Sequence, residues 1–322
     1  MPIIFADIER LENGAKLHTA DLHVHSFGAS EDVTDETMTP EAIIEAAVQH
    51  HVSLLCLTDH NSALNTQRSI DYALGKYAGQ ILVLAGVEIT TSHGHLLAYF
   101  DPDKADSVST LLARLDLVGK PGERDTHTRK SMADVIAEVE RLQGVCIAAH
   151  IDRTKTGFEM FATGYPNWKA DIITSSGLYG LEFDDPLNIV WFSPEDSCPT
   201  NGGERRKLVE RRSRASSTSA RVRLASIQNS DSHSLRAFMN HCNRQQLTRY
   251  KMDVLSFDGF KTALLDSYAR VRVEATVPPA VPRILGMHVV GGFLDGDTYH
   301  FSDNLNCFIG GRGLVSQRRF EV

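Results

Sequence analysis

Short apolar runs recur through the first half of the chain, and they limit its architecture more than any other feature. SLLCLT (53–58), ILVLAGV (81–87) and GVCIAA (144–149) have the length of buried strands, and HLLAYF (95–100) is strand-like. Ala20–Ser26, Gly180–Phe183 and Arg221–Gln228 read as further strands. Helical signals lie between them. Thr39-Pro40-Glu41 opens a helix running to about His51, with Thr39 as N-cap, Pro40 at the first helical position and Glu41 at the positive end. A second helix is expected near Asn65–Tyr77. A third, Ser131–Leu142, sets Met132, Val135, Ile136 and Val139 on one side. Strands alternating with helices of this length predict an α/β chain built on a parallel sheet, closed or open.

Composition narrows the class. With 322 residues, 42% hydrophobic and 23% charged, the chain has the profile of a soluble globular protein, of about two domains or one large α/β barrel with an appendage. The formal charge of −8 argues against polyanion binding through bulk charge, although a local basic patch would still allow it. No apolar run is long enough to span a bilayer, and Met1–Asp7 lacks the basic and apolar parts of a signal peptide. Five scattered cysteines without a CxxC pair predict reduced thiols and a cytoplasmic protein, with neither disulfides nor a thiolate zinc site.

Two stretches break the rhythm. Asn201–Arg223 holds eight Arg/Lys against two Glu and reads as a long loop. From about Val277, Pro-containing turns and Gly-rich strands predict a smaller β-rich unit.

Placement of the histidines carries the chemistry. His23 and His25 end the first strand, one residue apart and so on one face. His60 follows SLLCLT as TDH, Glu88 follows ILVLAGV, His93 and His95 bracket a glycine, and His150 follows VCIAA. Asp231 and His233 follow the strand at Leu224–Gln228. In a parallel α/β barrel such strand ends converge on one mouth. Neutral imidazoles with carboxylates and no thiolate suit Zn, Mn or Fe, and more than four ligands imply more than one ion. Any one of these pieces has an ordinary structural explanation; their repetition at successive strand ends does not.

The ordered series DLHVHS, TDH, GVEI, GHLLAYF, AAH and SDSH, from about Thr19 to Arg236, resembles the PHP (polymerase and histidinol phosphatase) family of metal-dependent phosphoesterases. The resemblance implies a distorted seven-stranded β/α TIM-like barrel with a two- or three-metal centre at its strand C-termini. It implies that His23, His25 and Asp231 bind a first metal, that Glu88 bridges to a second held by His95 and His150, and that His60 and His233 hold a third with an acid from the loop after the first strand. Asp35 is in step with Thr39-Pro40, and Asp32 is its competitor; in HGH the pattern favours His95 over His93. The tail, ILGMHVVGGFLDG then FSDNLNCFIGGRG, resembles proteins that fuse a PHP domain to an SMC-like or AAA-type ATPase. Gly310–Gln317 lacks the glycine, lysine and serine of a phosphate-binding loop, so residues 278–322 are expected to be the remnant of an ATPase start without ATP function. Residues 1–277 would be the PHP domain.

The implied chemistry is hydrolysis of a phosphate ester of a nucleotide or nucleic-acid end, by a water that two of the metals bridge and activate. Arg153, with Arg236 as second choice, would hold phosphate. Asp59, beside a ligand, would orient an imidazole. The cations of 201–223 would allow a nucleic-acid partner and a nuclease acting on single strands. A phosphorylated small molecule is the other substrate class, and a non-catalytic PHP module is the remaining alternative.

Overall fold

The computed structural model describes residues 4–11, 14–215, 223–244, 246–273, 284–302 and 306–309. The expectation for Gly310–Gln317 lies outside them. The chain divides into two units, Lys16–Ala275 and a smaller one of Met1–Ala15 with Thr276–Val322. In the smaller unit are a short helix, α1 (Phe5–Glu9), and an antiparallel hairpin of Gly286–His288 and Thr298–His300.

The larger unit is built on one nine-stranded, nearly closed sheet. In chain order its strands are β1 (Lys16–Val24), β2 (Val52–Leu57), β3 (Leu82–Thr91), β4 (Gly94–Phe100), β5 (Val145–Ala148), β6 (Leu178–Glu182), β7 (Ala225–Ile227), β8 (Arg249–Met252) and β9 (Val271–Arg272). They are ordered β9-β8-β1-β2-β3-β4-β5-β6-β7. The seven expected barrel strands are β1–β7, and β8 and β9 extend the β1 side as antiparallel additions. Backbone bonds then bring the two sides together. Thr248 N–H donates to Gln228 O (3.1 Å) and His25 N–H to Ser232 O (3.1 Å).

The sheet is not wholly parallel, which corrects the expectation. β4 runs antiparallel to both β3 and β5. Only Ser92 and His93 connect β3 to β4, whereas a parallel crossover needs about a dozen residues or more. The N-terminal end of β4 therefore lies at the same mouth as the C-terminal ends of the other strands.

Helices pack outside the sheet. Among them are α2 (Pro40–Gln49), capped by Thr39 as expected, α3 (Thr66–Tyr77), α4 (Asp106–Arg114), α5 (Met132–Arg141) and α6 (Asn167–Thr174). Alternate strand residues Leu84, Leu97, Tyr99, Val145 and Ile147 form a separate inner cluster. A later helix, Phe257–Leu265, closes that cluster with Phe257, Phe260 and Leu264, and the Phe260 ring lies edge-on to Tyr99 (5.9 Å) and Tyr250 (5.1 Å). Gly86 makes room there, because a Cβ would stand 2.4 Å from Cys56 Sγ.

The expected loop at 201–223 is corrected too. Residues Gly202–Ala215 form a regular helix, α7. Arg205 and Arg212, seven apart, are buried on its inner face. The Arg205 guanidinium pairs with Asp196 (2.6 Å) and Glu159 (3.1 Å), and Arg212 donates to the carbonyls of Ile173, Ser175 and Leu178. Among the described residues no helix is long and apolar enough to cross a membrane.

Candidate metal centre

Strand parity aims the site residues. On β3, Leu84 and Gly86 face inward, so Glu88 does also. On β1, Ala20 and Leu22 belong to the inner cluster, and simple alternation would turn His23 and His25 outward. A bulge between Asp21 and Val24 shifts the register against β2, so both imidazoles reach the mouth and Val24 joins the outer core. His150 and Asp231 are re-aimed by left-handed backbone, at φ 26° and 46°.

Glu88 is the hub. It is fully buried, with Oε1 2.8 Å from His95 Nδ1 and 3.1 Å from His150 Nε2. Its Oε2 lies 2.9 Å from His60 Nδ1, 3.3 Å from His23 Nε2 and 3.4 Å from His25 Nε2. Asp231 Oδ1 approaches His25 Nε2 (3.1 Å) and His23 Nε2 (3.3 Å). Asp32 Oδ2 lies between His60 Nε2 (3.1 Å) and His233 Nε2 (3.2 Å). The structure thus gathers His23, His25, His60, Glu88, His95, His150, Asp231 and His233 in one place.

The loop acid there is Asp32, not Asp35. The Asp35 carboxylate accepts instead from Leu235 N–H (3.0 Å) and from Thr37. Three extra residues of reach explain the difference: Asp35 closes the turn before α2, whereas Asp32 stands earlier, over the mouth. His93 stays outside the cluster, its ring stacked 4.4 Å from Trp168.

Arg153 does reach the site, but its donors are engaged. Nε and Nη2 pair with Asp184 (2.6 and 2.8 Å), and Nη1 with Asp231 Oδ2 (2.5 Å). Asp59 is buried and accepts from Ser26 N–H (2.7 Å), Ser26 Oγ–H (2.6 Å) and Ser30 Oγ–H (2.8 Å). It meets the imidazoles through Ser30, whose Oγ lies 3.3 Å from His25 Nδ1. Burial pushes the Asp59 carboxyl up to about 6. Arg236 is exposed on the helix Leu235–Asn243.

Sequence reasoning missed Glu182. This buried carboxylate accepts from His23 Nδ1–H (2.9 Å), His150 N–H (2.9 Å) and Asn229 Nδ2–H (2.6 Å). It ends β6, but a lone acid after one short strand repeats no pattern that would have marked it.

The donor set fits divalent ions. His23 Nε2 and Glu88 Oε2 are buried and face each other at 3.3 Å without a well-formed hydrogen bond between them, while His60 Nδ1 and His25 Nε2 crowd the same oxygen at 2.9 and 3.4 Å, a buried convergence of ligand atoms that a bound cation would satisfy. Groups such as His23–His25–Glu88, His25–His60–His233 and His60–Glu88–His95 each offer ligand atoms within 4.8 Å of one another. Burial opposes ionisation of Glu88, yet the imidazoles of His23, His95 and His60 hold its carboxyl well below the usual range. Burial leaves His25 at about 4, a neutral ligand at pH 7.

Residues 21–180 match the model of the PHP domain. The chain carries a PHP domain. Among solved structures, it is similar to the lesion-specific endonuclease PfuEndoQ from Pyrococcus furiosus (TM-score 0.55, 15% identity, covering 78% of this chain and 56% of that one). A two-domain protein containing a predicted PHP-like metal-dependent phosphoesterase, from Bacteroides vulgatus, is also similar (TM-score 0.50, 17%, 81% and 65%). So is Endonuclease Q in complex with a 27-mer duplex substrate with an abasic lesion at the active site (TM-score 0.51, 12%, 80% and 58%). The PHP chain spans less than two thirds of the length of each of these three structures. At these identities the likeness is one of fold. No curated protein matches the sequence.

Proposed function

We propose that the barrel is a metal-dependent hydrolase of phosphate esters acting on a nucleotide or nucleic-acid end. The observation that carries this reading is the buried convergence of ligand atoms on Glu88, with His23 Nε2 facing Glu88 Oε2 at 3.3 Å amid the other imidazoles. In this reading His23, His25 and Asp231 would hold one ion, Glu88, His95 and His150 a second, and His60, His233 and Asp32 a third. Bound divalent ions, Mn, Zn or Fe, would lower the pKa of water toward neutrality and offset phosphate charge.

The remaining residues position and exclude. Arg153 holds the outer oxygen of Asp231 and is thereby removed from the role of phosphate fork, which we assign to Arg236. Ser30 and Asp59 hold the loop that carries Asp32. The basic segment contributes less to a nucleic-acid partner than its composition implies. Two of its arginines are buried in α7, and Lys207 and Arg214 pair with Glu204 and Glu210. The five free cysteines support a reducing, cytoplasmic setting.

The test incubates Mn-loaded protein at low salt with a single-stranded oligonucleotide bearing a 5′-phosphate, with His150→Ala and Asp231→Ala as controls. Phosphate release with intact strands, lost in both variants, is expected. Shortened strands would make the protein a nuclease. No turnover and no metal uptake would leave a non-catalytic module.

A further inference from the structure

The buried carboxylate of Glu182 is not itself among the predicted metal-holding residues, yet it joins four parts of the barrel mouth. It stands at the end of β6 and binds the His23 ring from β1, the backbone N–H of His150 after β5 and the amide of Asn229 after β7. All three partners are donors. The Asn229 amide is oriented from its other side, because its Oδ1 accepts from Leu22 N–H at 2.9 Å, so its NH2 must face Glu182. A carboxylate, which only accepts, suits such a site; an amide would set its own NH2 against a donor.

We infer that Glu182 is a positioning residue for the metal centre, fixing His23 as the Nδ1-protonated tautomer with its Nε2 lone pair turned to Glu88 and Asp231. The inference rests on the reading of the mouth as a metal centre. A ligand imidazole commonly gives its second N–H to a carboxylate, which fixes tautomer and ring orientation and raises basicity. The structure supplies that geometry: His23 Nδ1 lies 2.9 Å from Glu182 Oε2, and Nε2 lies 3.3 Å from both Glu88 Oε2 and Asp231 Oδ1. The same carboxylate oxygen accepts from the His150 N–H, so it also fixes the left-handed turn that delivers the His150 ring.

The experiment measures zinc affinity of the full chain by chelator competition for the wild type, Glu182→Gln and Phe260→Leu. Phe260 packs at the opposite end of the barrel interior and controls for stability alone. Glu182→Gln should bind zinc about 10- to 100-fold more weakly, whereas Phe260→Leu should lower the melting temperature and leave affinity unchanged. Histidine 15N spectra of the zinc-loaded wild type give a second reading that needs no variant to fold; they should show His23 protonated at Nδ1. Unchanged affinity in folded Glu182→Gln, or a proton on His23 Nε2, would overturn the inference while leaving the metal centre standing. A wild type that binds no zinc, manganese or iron would overturn both.

Discussion

Asp32 and Asp35 lie on one loop, and only Asp32 meets histidines. Replacing Asp32 with Ala should cost one of the bound ions, read as metal stoichiometry by mass spectrometry, together with most of the activity. Asp35→Ala should keep full metal content and lose about 1 kcal/mol in urea unfolding, the worth of its hydrogen bonds to Leu235 and Thr37. His60 offers a second test. Burial lowers its pKa, but Glu88 and Asp32 outweigh burial and raise it to about 10 in the metal-free chain. It is therefore protonated at pH 7 and must release that proton to bind metal, so metal affinity should rise with pH through the neutral range. Titration calorimetry in buffers of different ionisation enthalpy should detect the released proton. The imidazoles and Glu88 were legible in the sequence because each stands at or near the edge of an apolar run, His95 before one and the others after. Glu182 ends one as well, but a lone acid after YGL carries no pattern. The choice between Asp32 and Asp35 depended on the path of a loop, which spacing does not encode.

At the scale of elements, the β3–β4 connection was readable but not read. Two residues cannot carry a crossover, so reversal of β4 follows from loop length alone, and it explains why His95 begins its strand while Glu88 lies late in its own. The bulge in β1 left no comparable trace, since DLHVHS alternates as an unbroken strand would. Helix α7 was obscured by charge. Its inward face is set by Arg205 and Arg212, and a search for apolar periodicity passes over arginines buried against carboxylates and carbonyls. Their burial makes a definite prediction. Arg205→Ala would strand Asp196 in the interior, Glu159 keeping Lys169 at 3.1 Å, and should cost about 3–5 kcal/mol of unfolding free energy. Arg205→Met, which fills the space beneath Trp191, should still destabilise the fold, because Asp196 remains buried without a cation while Glu159 keeps Lys169.

Across the whole molecule, the proposed ligand residues come from the C-terminal parts of β1, β2, β3, β5 and β7 or the residues just after them, the start of β4 and the loop carrying Asp32, so ions bound at the mouth would tie together parts of the chain far apart in sequence. Stripping metal with a chelator should lower the melting temperature. Restoring free metal to a thousand times its dissociation constant should return about 4 kcal/mol per site, read in denaturant titrations. The architecture itself was legible as an α/β barrel because helices and buried strands alternate through its first half. The two added strands, β8 and β9, were not, since they are only four and two residues long. Behind the histidines the barrel is solid: Leu97, Tyr99, Ile147 and Tyr250 fill it, and Phe260 seals the far end. Among the described residues, those side chains close the route through the barrel interior. If ions and a substrate occupy the mouth as proposed, the product would leave on the same side from which the substrate entered, and a lingering product would block the next arrival.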